Sequence, residues 1–327
     1  MANSSSGPTH IAARHPRRYP DGHGDEDGGS PGFKIQSYLK ERAEFVERAL
    51  DRAVINHGGP GARLLEAMRY SLFAGGKRLR PILALAACEA VGGAPDDAIG
   101  LACALEMIHT YSLIHDDLPC MDDDDLRRGR PTNHKVYGDA MATLAGDALL
   151  TDAFNVLARS RSSRAPAAVV LDVVAELAQA AGSPGMVIGQ ALDILSEGKA
   201  TDLATLEYLH ARKTGALFLA AVRGGGLLGG ANSVQLEALT SYGRSIGLAF
   251  QVVDDVLDVE ASAEQMGKRT HKDDAQGKAT YPGLMGVARS RQFAHELKQR
   301  AIEALAGFDG RAQPLREIAN FVVERSL

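Results

Sequence analysis

From Phe33 onward the chain mixes apolar and polar positions with the period of helices. In "FKIQSYLKERAEFVERALDRAV" the residues Ile35, Leu39, Phe45, Ala49 and Leu50 fall on one stripe, the spacing of a helix with one buried face. Glycine- and proline-rich breaks fall at 57–61, 74–81, 92–97, 162–167, 182–185, 229–232 and 307–314. The segments between them run to roughly 15–25 residues, long for globular helices. No stretch alternates convincingly as a strand would. "DAMATLAGDALLTDAF" and "GALFLAAVRGGGLLGG" are apolar nearly all round, which predicts central positions. Glycines 224–226 inside such a helix are expected to permit close packing of a neighbour. The pattern predicts one large all-α domain over residues 33–327.

Residues 1–32 break that pattern. They are rich in Gly, Pro, Ser and charge, with too little apolar surface to offset ordering entropy, so a disordered tail is expected. The first twenty residues lack acids and carry arginines, as a transit peptide would; Asp21, Asp25, Glu26 and Asp27 argue against one.

Composition narrows the class. The 327 residues are 45% hydrophobic but only 5% aromatic, with no tryptophan, which disfavours a β-sandwich or barrel. A net charge of −5 gives no global attraction to nucleic acid. Cys88, Cys103 and Cys120 lack CxxC spacing, so reduced thiols in a cytoplasm are expected. No run of about 18 apolar residues is evident, so no membrane span is expected.

Two acidic motifs carry the chemistry. "LEMIHTYSLIHDD" and "IGLAFQVVDDVLD" are both apolar helical runs ending in paired aspartates. In the first, Pro119 should end the helix near Asp116 and Asp117, with Asp122 returning from the next turn. In the second, Asp254 and Asp258 are four apart and share a helix face with Gln251, one turn earlier. Carboxylates at helix C-termini oppose the macrodipole unless cations compensate. Oxygen-only donors suit a hard ion, and Mg²⁺ takes one or two carboxylates with substrate phosphates and water. A solvated acidic surface is the alternative for either motif alone.

Cations accompany the acids. "GGKRLRP" offers Lys77, Arg78 and Arg80 around a glycine turn, with Pro81 suited to a first helical turn. Arg127 and Arg128 follow the first acid cluster, Lys213 and Thr214 open an apolar run, and Lys268 and Lys278 follow the second cluster. Acids for a divalent ion plus several bases imply a multiply phosphorylated ligand, and the apolar helices imply that its remainder is greasy. No Walker-type GxxxxGK[ST] is present, so a nucleotide P-loop is not indicated.

Together "GGKRLRP", "SLIHDDLPCMDDDDLRRGRPTNH", "LAGDALL", "GQALD", Lys213–Thr214, "FQVVDDVLD" and "GKATYP" resemble the trans-isoprenyl diphosphate synthases, in that family's order, from about Phe33 to the C-terminus. The resemblance implies an all-α bundle around a deep central cavity, usually in a homodimer. It implies Mg²⁺, three ions to a site, held by Asp116, Asp117 and Asp122 from one side and by Asp254, Asp255 and Asp258 from the other. Arg127, Lys213, Gln251 and Lys268 would assist the allylic diphosphate. Lys77, Arg80, His109 and Arg128 would hold isopentenyl diphosphate. Thr214 and Gln251 would sit beside the forming allylic cation. The implied reaction is head-to-tail condensation of isopentenyl diphosphate with dimethylallyl or geranyl diphosphate, with no protein nucleophile.

In that family the fifth residue before the first motif helps set product length, and here it is Tyr111. A rise of about 1.5 Å per residue puts it roughly 7–8 Å along the helix from Asp116. Its bulk resembles the floor of bacterial-type farnesyl diphosphate synthases, so a C15 product is expected. A C20, geranylgeranyl product is the alternative. A class I terpene cyclase fits less well, because the chain lacks tryptophan and carries a second Asp motif where cyclases carry Asn, Ser and Glu.

Overall fold

The computed structural model describes residues 33–54, 58–196, 198–199, 201–266 and 279–324. Residues 1–32, Lys268 and Lys278 lie outside the described residues, and with them the expected tail and one expected phosphate ligand. The rest from Lys34 is one compact unit.

Helices dominate it, and the breaks fall where glycine and proline place them. α1 (Ile35–Ala53) and α2 (Ala62–Leu72) lead to α3 (Leu79–Ala90) and α4 (Pro95–Asp116). α4 opens with Pro95 at its first position, while the Asp97 carboxylate accepts from the Ala94 N–H at 2.9 Å. A short α5 (Asn133–Tyr137) precedes α6 (Asp139–Arg159), α7 (Ala167–Ala181), α8 (Met186–Ser196) and α9 (Leu203–His210). A single π-helical turn, Ala211–Gly215, joins α9 to α10 (Ala216–Leu228). α11 (Ser233–Met266) is the longest, entered through a reciprocal cap between Asn232 and Gln235. α12 (Tyr281–Met285), α13 (Val287–Ala304) and α14 (Gln313–Glu324) complete the bundle.

α4 is the axis. It is buried along most of its length and packs on α1, α2, α3, α6 and α10. By length and composition α4 and the stretch Ala167–Ser196 could cross a membrane, against the expectation of no such run. Most of α4 faces the bundle interior instead, and a turn at Gly182 divides the second stretch. Glycines 224–226 act as expected: a Cβ on Gly225 would lie 2.1 Å from the Ala84 carbonyl oxygen, so α10 and α3 touch backbone to backbone.

One element escapes the helical pattern. β1 (Leu126–Arg127) and β2 (Arg130–Pro131) form a two-residue hairpin with Arg127 opposite Arg130. Arg128 and Gly129 both have positive φ, 54° and 73°, the requirement of the primed turns that close such hairpins.

Candidate active site

A cavity of about 540 Å³ opens beside α4, bounded by α3, α6, α8, the loop after α4 and the π turn. Arg80, His109, Asp116, Lys213 and Thr214 all line it, so the structure brings together residues spread over more than a hundred positions of sequence. Part of its lining is apolar, with Leu118, Met121, Met186, Val187 and Ile194.

The first acidic motif is built by the end of α4. The helix stops at Asp116, and the chain turns so that the Asp122 N–H donates to the Asp116 carbonyl at 2.9 Å. Asp123 takes a left-handed conformation, φ 50°. The two adjacent aspartates part company here. Asp116 lines the cavity, and burial, reinforced by Asp122 and Asp117, pushes its carboxyl up to about 6 although Lys213 and Arg127 oppose the shift. Asp117 is buried and accepts from Arg127 Nε at 2.6 Å. Arg127, expected as a phosphate clamp, is thus ion-paired with an expected metal ligand, because the hairpin folds it back onto α4. Asp122 is exposed.

The second motif lies well inside α11, not at its end. The helix runs eight residues beyond Asp258, to Met266, so the dipole argument applies to the first motif alone. Asp254 and Asp258 share one face, and Asp254 acts electrostatically on Arg80. Asp255 was grouped with them as a metal ligand, but it is turned inward. Its Oδ1 accepts from Gln251 Nε2 at 3.0 Å and its Oδ2 from the Tyr281 N–H at 3.0 Å. Burial, then repulsion from Asp258 and Asp254, pushes its carboxyl up to about 6 against those two hydrogen bonds.

The bases are sorted by backbone geometry. Arg78 starts α3 in a left-handed conformation, which buries it on Glu106 at 2.5 Å and on the Leu72 carbonyl at 2.7 Å. Arg80, two residues on, turns to the cavity instead, with its guanidinium 5.0 Å from the Phe218 ring centre. Its buried Nε has no hydrogen-bond partner among the described residues. Lys77 is exposed, 5.8 Å from the Phe321 ring. Arg128 lies against Gly76, where a Cβ would come within 2.6 Å of its guanidinium, so the glycine turn and the hairpin meet. His109 is held well below its ordinary value by burial and by Arg80, Arg128, Arg127 and Arg78, which leaves it neutral at pH 7.

The π turn supplies the remaining groups. Lys213 Nζ donates to Asp193 Oδ2 on α8 at 2.5 Å, and Thr214 Oγ1 donates to Gln251 Oε1 at 2.9 Å. The polar chain Thr214–Gln251–Asp255–Tyr281 N–H therefore ties the cavity wall to α11 and α12. α8 approaches closely because residue 189 is glycine: a Cβ there would lie 2.2 Å from the Lys213 nitrogen. Sequence reasoning missed Asp193. "GQALD" carried it in view, yet the spacing does not name the lysine it meets.

Among the described residues no three acidic, imidazole or thiol groups already converge on one point. Mg²⁺ takes few protein carboxylates and completes its shell with substrate phosphate oxygens and water. The donors are oxygens, and a bound cation would offset the burial, and after it the neighbouring Asp122 and Asp117, that raise the Asp116 carboxyl.

A family profile described as polyprenyl synthetase matches residues 62–308. A chloroplastic geranylgeranyl pyrophosphate synthase of Capsicum annuum is 51% identical over 295 residues, covering 90% of this chain and 79% of its own. A geranylgeranyl diphosphate synthase of Cyanophora paradoxa is 48% identical, covering 90% and 97%. Among solved structures, an FPP/GFPP synthase of Zymomonas mobilis superposes with a TM-score of 0.79 at 39% identity, covering 88% of this chain and 98% of its own.

Proposed function

The chain belongs to the polyprenyl synthetase family, with the all-α isoprenoid synthase fold and prenyltransferase activity, and from that premise we propose that it condenses isopentenyl diphosphate head to tail with allylic diphosphates up to geranylgeranyl diphosphate. The observation that carries the C20 product is the naming of relatives near 50% identity as geranylgeranyl synthases. Val187 and Ile194 on α8 support it by extending the apolar lining available to a prenyl chain beside Tyr111.

Mg²⁺, held by Asp116 with Asp122 and by Asp254 with Asp258, would supply positive charge to the departing diphosphate. Lys213 adds charge from the π turn once it exchanges Asp193 for a phosphate oxygen, and Arg127, Lys268 and Gln251 are the further candidates on that diphosphate. Arg80, with an orphaned N–H in the cavity wall, suits the diphosphate of the second substrate, with Lys77, Arg128 and neutral His109 around it. As the allylic C–O bond breaks, the Thr214 and Gln251 dipoles lie beside the carbocation that forms. The double bond of isopentenyl diphosphate attacks that carbon, a new C–C bond forms, and a proton leaves to the released pyrophosphate. The apolar wall keeps water from the cation.

A C15 product is the second reading, favoured by Tyr111, which lines the cavity one helical turn before His115. Product sizing after incubation with labelled isopentenyl diphosphate, dimethylallyl diphosphate and Mg²⁺ separates the two. A homodimer is proposed on the exposed apolar residues Leu144, Leu171 and Leu195, which a second copy would cover; a monomer by light scattering would contradict it. The Capsicum annuum relative is chloroplastic, whereas the thiol usage suits a cytoplasm; an import assay with residues 1–32 distinguishes a plastid from a cytoplasmic site.

A further inference from the structure

"LAGDALL" on α6 is the one motif that the proposed reaction leaves without a task. Its Gly146 faces α4: a Cβ there would lie 2.1 Å from His115 Nε2 and 2.5 Å from Cδ2. The missing side chain is therefore a seat for the imidazole. Seated there, His115 reaches the Thr143 carbonyl at 3.0 Å, which fixes the proton on Nε2, since a carbonyl only accepts. Asp147 stands 3.9 Å from the same nitrogen. One turn back on α4, Tyr111 packs edge-to-face on His115, ring centres 5.7 Å apart and planes at 79°. Tyr111, His115 and Thr143 all line the cavity.

We propose that His115 is a positioning residue for chain length: anchored on α6 by Gly146 and the Thr143 carbonyl, it clamps the Tyr111 ring across the path of the growing prenyl chain. The inference rests on the elongation reading above. It makes α6, not Tyr111 alone, the element that fixes where elongation stops. A tyrosine without this clamp can rotate about χ1 and yield the space it occupies.

The test sizes products from labelled isopentenyl diphosphate for wild type, Tyr111→Ala, His115→Ala, His115→Gln, Gly146→Ala and the double variant Tyr111→Ala/His115→Ala. Gly146→Ala alters the seat on α6 while leaving the His115 side chain beside Asp116, so it tests the clamp independently of the imidazole's deletion. The expected result is longer products from His115→Ala and Gly146→Ala, by one isoprene unit, with the double variant no longer than Tyr111→Ala. His115→Gln keeps a donor for the Thr143 carbonyl and should restore part of the wild-type distribution. Unchanged product lengths in His115→Ala and Gly146→Ala, with Tyr111→Ala lengthened, would overturn the clamp and leave the elongation reading standing. A wild type that makes no condensation product fails the elongation reading instead. In that event a crystal structure of Gly146→Ala still decides: a displaced Tyr111 ring supports the clamp, and an unmoved one refutes it.

Discussion

The two aspartate pairs look alike in sequence and are built differently. Each splits one carboxylate from its neighbour. At the end of α4, Asp116 lines the cavity while Asp117 is held by Arg127. In α11, Asp254 acts on Arg80 while Asp255 is held by Gln251 and the Tyr281 N–H. The first pair is neutralised by a cation that the hairpin returns; the second is satisfied by neutral donors in a buried setting. In each pair a helix turns adjacent residues by about 100°, so a DD dipeptide cannot offer both acids to one ion from one wall. In each pair one acid lines the cavity or acts on a residue that does, and the other is tied into the frame.

The largest expected effect tests that division. Asp116→Ala and Asp254→Ala should each lower kcat by on the order of 10²–10³, as removal of a transition-state charge partner does. Steady-state rates at saturating Mg²⁺ measure it, and losses under tenfold would place the catalytic charge elsewhere. Arg80→Ala comes next. Losing a charge-assisted bond of about 1.5–3 kcal/mol should weaken isopentenyl diphosphate binding by roughly ten- to a hundred-fold. A changed KM for the allylic substrate alone would assign Arg80 to the other diphosphate.

Asp255 should report on stability more than on chemistry. Asp255→Ala leaves the buried Tyr281 N–H unpaired, at a cost of about 1–3 kcal/mol by denaturant titration. Its pH dependence has a definite sign. The folded carboxyl sits near 6 against an ordinary 3.8, so its protonated form is favoured by folding. The stability this contributes is complete below about pH 4 and is lost as pH rises through 6. Without divalent ions, wild type should therefore lose up to about 3 kcal/mol relative to Asp255→Asn between pH 4 and 7. Wild type gaining stability relative to Asp255→Asn as pH rises would contradict the account. The smallest effect is on product size: Tyr111→Ala should lengthen the product without abolishing turnover, and an unchanged product would remove Tyr111 as a barrier.

Much of the helical plan was legible because it depends on local chemistry. The breaks at 74–81, 92–97 and 229–232 follow from glycine and proline alone, and the α10 glycines follow from an apolar helix that has no other reason to carry them. The hairpin was not legible, since two residues per strand carry no period. The apolar run before Asp254 seemed to end at the acids, yet α11 continues, because the sequence after them, with Glu260, Ala261, Ala263, Glu264 and Gln265, is rich in good helix formers. From the residues alone Arg78 and Arg80 read as equivalent bases, and only the family resemblance singled out Arg80. A left-handed φ of 49° at Arg78 sends one to Glu106 and leaves the other for the cavity, and no side-chain pattern announces that angle. Asp193 was invisible for a further reason: its partner Lys213 arrives from a π turn twenty residues away.

Incubation of the purified chain with Mg²⁺, dimethylallyl diphosphate and labelled isopentenyl diphosphate, followed by chromatographic sizing of the dephosphorylated products, tests the central claim most directly. The account predicts stepwise condensation ending at C20. An absence of any condensation product with both substrates and Mg²⁺ present would contradict it.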